Sequence, residues 1–217
     1  MKKMFFILIV PVFCLQMTAL SQKTRVGVAG GMTIANMNGT VDGVKLNDDS
    51  QTGISLGMFV DAPIASHFSV QPGIYYVQKG RSYHEIVAST KQKTTIALRY
   101  AEIPVNFLYN TNSTTGNFFV GLGPYFGLHL PSKKVAEVAG KKTSSDLIFG
   151  NTGSENFQGI DYGANFLAGY RLTGGLFLSV NYSKGFCNIV PGSSGDNKIK
   201  NHYIGIQLGI LVNNKTK

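Results

Sequence analysis

At 217 residues with 26 glycines and only 14 % charged residues, the chain is one domain's worth of sequence, too poor in charge to cover a large soluble surface. Its formal net charge of +9 points to an anionic surface as partner, and the export signal described next excludes nucleic acid. Of its two cysteines, Cys14 lies in that signal, so the mature chain keeps Cys187 alone, which excludes an internal disulfide and a cysteine metal cluster.

Met1-Lys2-Lys3 leads into the apolar run 4–15, and Ala19-Leu20-Ser21 before Gln22 places small residues where a secretory peptidase reads them. Residues 1–21 are therefore expected to be a signal peptide and residues 22–217 one mature domain. The apolar run is broken by Pro11 and too short for a spanning helix, and no later stretch reaches the roughly 20 apolar residues such a helix needs. Pro11-Val12-Phe13 lacks the small residues that lipoprotein processing wants before Cys14, so no lipid anchor is expected.

Eight segments then alternate with a period of two, the signature of strands. Residues 25–36 set Val26, Val28, Met32 and Ile34 against Gly27, Ala29, Gly31 and Thr33. Residues 52–61 set Ile54, Leu56, Met58 and Val60 against Gly53, Ser55, Gly57 and Asp61. In 68–81, Phe68, Val70, Ile74 and Tyr76 oppose Gln71, Gly73 and Lys79; in 96–109, Ile103, Val105, Phe107 and Tyr109 oppose Glu102 and Asn106. Residues 117–130 alternate Phe118, Val120, Leu122, Phe126 and Leu128 with Gly121, Gly123, Tyr125, Gly127 and His129. Residues 160–172 alternate Ile160, Tyr162, Phe166 and Tyr170 with Asp161, Gly163, Asn165 and Arg171. Leu176, Leu178, Val180 and Tyr182 follow in 176–186, and Ile204, Ile206, Leu208, Ile210 and Val212 in 202–212, opposite Gly205, Gln207 and Gly209. The second face is too small and too sparsely charged to be a solvated one. Lipid outside and a narrow polar lumen inside predict an all-β fold, an eight-stranded antiparallel up-and-down transmembrane β-barrel.

The connections alternate as well. Those at 62–67, 110–116 and 173–175 are short, while 38–51, 83–95, 131–156 and 187–200 are long, polar and rich in Gly, Lys and Ser. Short periplasmic turns and long extracellular loops are the habit of outer-membrane barrels, with both termini on the periplasmic side. Tyr162 and Tyr170, eight residues apart on one strand, are expected to mark the two edges of the apolar band.

Arg99-Tyr100-Ala101-Glu102-Ile103-Pro104-Val105, Val120-Gly121-Leu122-Gly123-Pro124-Tyr125, Asp161-Tyr162-Gly163 leading to Ala168-Gly169-Tyr170, and Tyr203-Ile204-Gly205-Ile206 follow one another in an order and spacing that resembles the PorT-like outer-membrane β-barrel domain. The resemblance covers nearly the whole mature chain. It implies an eight-stranded barrel in the outer membrane of a Gram-negative bacterium, in contact with outer-membrane lipid and the barrel-insertion machinery. The secretion role of the name-giving member has no residue motif to carry it here. The chain also departs from the barrel pattern by ending Asn213-Asn214-Lys215-Thr216-Lys217, without the terminal aromatic that the insertion machinery often reads.

Polar residues on the inward parity form the first candidate site: Lys79, Arg81, Glu102, Asn106, His129, Asp161, Asn165, Arg171 and Gln207. In a barrel this small, inward charges are expected to pair across the lumen as a plug, because an unpaired charge there is costly and eight strands enclose side chains rather than a channel. The second candidate is Lys133, Lys134, Lys141 and Lys142, crowded into the longest loop with Glu137, Asp146 and Glu155 as partial counterweights. They suit lipopolysaccharide or another anionic surface glycan. The expected role is structural or surface-interacting, as a monomer, with no catalytic residue, cofactor or metal.

Two other readings stay open at this point. A lipid-modifying enzyme would draw on His67-Phe68-Ser69, a base and a nucleophile at a spacing that shares one strand face, or on His84-Glu85 meeting His202 at the rim; neither has a carboxylate orienter or a metal-ligand spacing. The Gly-rich stretches 27–31 and 121–123 lack the following helix of a phosphate loop. A soluble carrier with the apolar face inward would expose an outer face rich in glycine and nearly free of Lys and Glu.

Overall fold

The computed structural model describes residues 24–46, 49–87, 90–111, 114–150, 152, 155–192 and 197–212. The signal segment and residues 213–217 lie outside the described residues. Ten strands form: β1 (Arg25–Val41), β2 (Val44–Lys45), β3 (Asp49–Pro63), β4 (Phe68–Val87), β5 (Thr90–Asn110), β6 (Gly116–Val138), β7 (Lys141–Asp146), β8 (Ile160–Leu172), β9 (Leu176–Gly185) and β10 (Lys198–Val212). Eight of them, β1, β3, β4, β5, β6, β8, β9 and β10, are joined antiparallel in that order. Pairing of β10 with β1, from Val26 opposite Val212 to Thr40 opposite Lys198, closes the ring. Closure removes the open edges that a sheet in lipid cannot tolerate.

The face assignment follows the alternation. Met32, Phe166 and Leu208 point outward and are 61 %, 64 % and 57 % exposed, whereas Lys79 and Asp161, inward, are 1 % and 0 % exposed. Apolar side chains cover the outside while charged ones such as Lys79 and Asp161 are buried inside, an inversion that only a hydrocarbon surround makes favourable. A soluble carrier has the reverse arrangement.

The long connections differ from the expected loops. β4 and β5 stay paired out to Val87 opposite Thr90, and β6 continues past the lipid-facing segment to Val138, where it turns back as β7. Residues 83–87, 90–95 and much of 131–156 are thus strand, and β4, β5, β6 and β7 form a wall standing above the barrel. Asp42-Gly43 and Ala139-Gly140 are two-residue hairpin turns with positive φ at both positions, 50° and 78° in the first, 47° and 81° in the second, as a type I′ turn requires. Alternation in lipid could not reveal these hairpins, because beyond the bilayer both faces meet water and the apolar period disappears. Asp42-Gly43 was a readable signal of the first.

β6 crosses Pro131 without breaking. The β5–β6 register shifts between Ala97 and Arg99, and Ser132 fills the irregularity: its Oγ accepts the Arg99 amide at 2.9 Å and donates to the Leu130 carbonyl at 2.7 Å. A bulge is where a strand tolerates a residue without an N–H.

Candidate functional site

The barrel interior is the largest concentration of polar chemistry in the molecule, and it is stacked in layers. At the short-turn end, Arg25 Nη2 donates to Asp61 Oδ2 at 2.7 Å and Arg171 Nη1 lies 3.6 Å from the same oxygen. Arg171 Nη2 also donates to Asn110 Oδ1 at 3.1 Å, and Asn110 Nδ2 to Ser69 Oγ at 3.2 Å. Asp61, at the inward parity of β3, is therefore the partner that Arg171 finds.

Above this gate lies an apolar layer of Ala29, Phe59, Leu108, Phe119, Phe177 and Leu211. Phe177 meets Phe59 and Phe119 edge-on, with centroids 5.7 and 6.1 Å apart. The inward glycines explain how these rings fit. A Cβ on Gly27 would strike Phe59, on Gly57 Tyr75, on Gly169 Phe119 and on Gly209 Phe177. The expectation of a narrow polar lumen thus needs correction: the small face is the space into which rings from neighbouring strands fold. A cavity of about 50 Å³ follows, lined by Gln71, Asn106, Asn165, Asn181 and Gln207 among others. That is room for a few waters, far short of a channel or a carrier pocket. Gln207 Nε2 donates to Ser55 Oγ at 2.9 Å, while the side-chain oxygens of Asn106, Asn165 and Asn181 have no protein donor, as suits a hydrated pocket.

The next layer gathers three of the expected lumen residues. Lys79 pairs with Glu102 and, at 2.9 Å, with Asp161, and all three side chains are buried. Its Nζ sits among three tyrosines, 4.4 Å from the ring centre of Tyr125, 5.2 Å from Tyr100 and 5.4 Å from Tyr203. Tyr203 donates to Glu102 Oε2 at 3.3 Å, and Asp161 Oδ2 accepts from Tyr125 at 3.3 Å and from Asn201 Nδ2 at 3.0 Å. Ring faces and carboxylates together replace the water that the ammonium lost. Tyr100, Asn201 and Tyr203 were not among the expected residues, although continuing the inward parity of β5 and β10 by two or four positions reaches them.

The mouth is capped by Met37, Ile96, Leu98, Phe157, Ile189 and Ile199. Two expected network members belong here instead of to the charged layer. His129 is exposed and stacks on Phe149 with centroids 4.2 Å apart, and the Arg81 guanidinium lies 5.0 Å over the Tyr83 ring. Cys187, just past β9, is 8 % exposed; burial first, then the Asp161 carboxylate, push its thiol above the usual range, which leaves it an inert packing residue.

The other candidates separate. Ser69 is buried against Asn110, whereas the His67 ring stacks on outward Tyr109, 5.7 Å between centroids, and its Nδ1 is 3.0 Å from Ser66 Oγ. Base and nucleophile thus point to opposite sides of the wall. His84 Nδ1 is 3.2 Å from Asp49 on β3, while His202 on β10 pairs with Lys184 and Asn36, so two strands stand between them. Among the described residues no group of three or more His, Cys, Asp and Glu side chains is placed to hold a metal ion. The four lysines of the β6–β7 hairpin divide between its faces: Lys133 and Lys142 lie on one, opposite Asp146 and Glu137, and Lys134 and Lys141 on the other, opposite Ser145 and Val138.

Similar solved structures include Ail of Yersinia pestis in complex with the heparin analogue sucrose octasulfate (13 % identity, 87 % of this chain and 99 % of that one, TM-score 0.39). Neisserial surface protein A is similar at 11 % identity over 85 % of this chain and 96 % of its own, with TM-score 0.42. The N-terminal barrel domain of Pseudomonas aeruginosa OprF is similar at 9 % identity over 88 % and 100 %, with TM-score 0.36. No curated protein sequence matches the chain. Residues 19–190 match a family profile over most of the length, and with lipid-facing strands closed around a plugged lumen, the chain belongs to the outer membrane protein beta-barrel domain family.

Proposed function

We propose that this outer-membrane barrel is a passive scaffold, neither channel nor enzyme, that holds the β4–β7 wall outside the lipid for contact with anionic surface glycan. The observation that carries the reading is the contrast between a lumen plugged by layers of side chains and strands that continue well past the lipid. Eight strands give no conduit once side chains fill them, so the wall is what this reading assigns to contact beyond the lipid. Within its β6–β7 hairpin, Lys134 and Lys141 supply most of the attraction, because no hairpin carboxylate shares their face. On the opposite face Lys142 is 3.7 Å from Glu137, and Lys133 stands in register with Asp146. A ring with no open edge in the lipid supports a monomer. The PorT-like affiliation, carried by the order and spacing of Arg99–Val105, Val120–Tyr125, Asp161–Tyr170 and Tyr203–Ile206, is part of the proposal, as is dependence on the barrel-insertion machinery.

The test is retention on immobilised heparin, a lipid-free acidic glycan, under a salt gradient. Lys134→Gln/Lys141→Gln elutes at clearly lower salt than the parent, and Lys133→Gln/Lys142→Gln close to it, since exposed charges are screened over about 8 Å at physiological ionic strength. Identical elution of the parent and of the variant lacking all four lysines overturns the proposal. Folding is unaffected in either case, because exposed ammonium groups contribute little to stability.

A further inference from the structure

A second basic feature lies on the outer surface of the barrel, on the opposite side of the molecule's chemistry from the lumen. On β10 the alternate residues Lys198, Lys200 and His202 face outward, exposed or half-exposed, while Ile199, Asn201 and Tyr203 between them are buried. Exposed Lys184 on β9 stands in register with His202. Directly opposite pairs in an antiparallel sheet have Cα atoms roughly 4.5–5.5 Å apart, and alternate positions along a strand are roughly 6.5–7 Å apart, so the four side chains form one ladder.

Among the described residues, no carboxylate stands in register with it. The β1 residues in register with His202, Lys200 and Lys198 are Asn36, Asn38 and Thr40, and the β8 residue in register with Lys184 is Ala164. Asp161 is turned into the lumen with no exposure. Asp42, beyond Thr40, exchanges hydrogen bonds of 2.7 and 3.2 Å with Asn197. Like charges set side by side across a sheet destabilise it unless an anion lies between them.

The position of the ladder identifies that anion. The next outward pair toward the short-turn rim is Tyr182 with Ile204, followed by Val180 with Ile206 and Leu178 with Leu208, all lipid-facing. The charges therefore begin at the edge of the apolar band, where lysine stems lie along hydrocarbon and their ammonium groups reach the headgroup level. We infer that Lys184, Lys198, Lys200 and His202 form a binding site for the phosphate groups of lipopolysaccharide, with its acyl chains lying along Tyr182, Ile204 and Ile206. An acidic polysaccharide without acyl chains has no means of using the apolar half of this surface, which separates the site from the hairpin wall proposed above and makes it independent of that proposal.

The experiment titrates purified barrel in detergent with lipopolysaccharide and, separately, with enzymatically dephosphorylated lipopolysaccharide. Binding is read from the rise in the temperature at which the folded band is lost on unheated gels. Intact lipopolysaccharide stabilises the parent. In Lys184→Gln/Lys198→Gln/Lys200→Gln/His202→Gln the apparent affinity falls roughly tenfold or more, as the removal of several headgroup-level charges requires. A variant carrying Lys184→Arg, Lys198→Arg and Lys200→Arg binds as the parent does, and so does the hairpin variant Lys134→Gln/Lys141→Gln. Equal stabilisation of the parent by intact and dephosphorylated material overturns the site without any substitution. Unchanged affinity in the folded Gln variant, or equal loss in the Arg variant, overturns it as well.

Discussion

Two layers of the same lumen are held by different physics. Around Phe177 the interior closes by volume: rings occupy the space that Gly27, Gly57, Gly169 and Gly209 vacate, and the energy is burial and dispersion spread over many contacts. Around Lys79 it closes by charge, one ammonium between two carboxylates inside a ring of tyrosines. The first layer tolerates partial loss, since neighbours relax toward a void. The second does not, because removal of one member leaves an ion buried without its counterion.

The largest expected effect tests that asymmetry directly. Lys79→Met leaves Glu102 and Asp161 facing each other without a cation and is expected to cost about 3–5 kcal/mol in reversible unfolding from lipid. Combining it with Glu102→Gln and Asp161→Asn restores most of the loss, and failure of the triple variant to recover would show that the layer is held by shape like its neighbour. Phe177→Ala follows at about 3 kcal/mol, the low end for a buried aromatic, because the surrounding glycine-lined layer has room to collapse. A cost as large as that of Lys79→Met would mean that the aromatic layer is as unforgiving as the charged one. The smallest effect belongs to the hydrated cavity between them. Gln207→Ser loses one hydrogen bond, to Ser55, beside space a water can occupy, and is expected to cost under about 1 kcal/mol by the same measurement.

Parity along each strand was legible in the sequence and carried the fold: it separated Phe166 from Asn165 and Leu208 from Gln207 before any coordinates. Parity assigns a face and is silent about height. Lys79, Glu102 and Asp161 were recognisable as inward, but their meeting depends on the stagger between strands, which brings Lys79 to a residue 82 positions away. Arg171 and Lys79 share a face and belong to different layers for the same reason. The inward aromatics Phe59, Phe119 and Phe177 were hidden by the weight that alternation gives to glycine, since a glycine reads as a small face whether or not a ring fills it. The outer ladder of Lys198 and Lys200 escaped because the apolar pattern of the last strand begins only after His202.

The seam between β1 and β10 joins residues from the first and last strands of the barrel, Val26 with Val212 and Thr40 with Lys198. Its contacts carry almost the greatest sequence separation the chain allows, so they form late and slowly. Until β10 arrives, β1 presents a row of unpaired amides and carbonyls that any other strand can use. The resting barrel has no such edge in lipid; the nascent one must have it, throughout synthesis and transit. The time the nascent chain spends with an open edge is therefore set by its last strand.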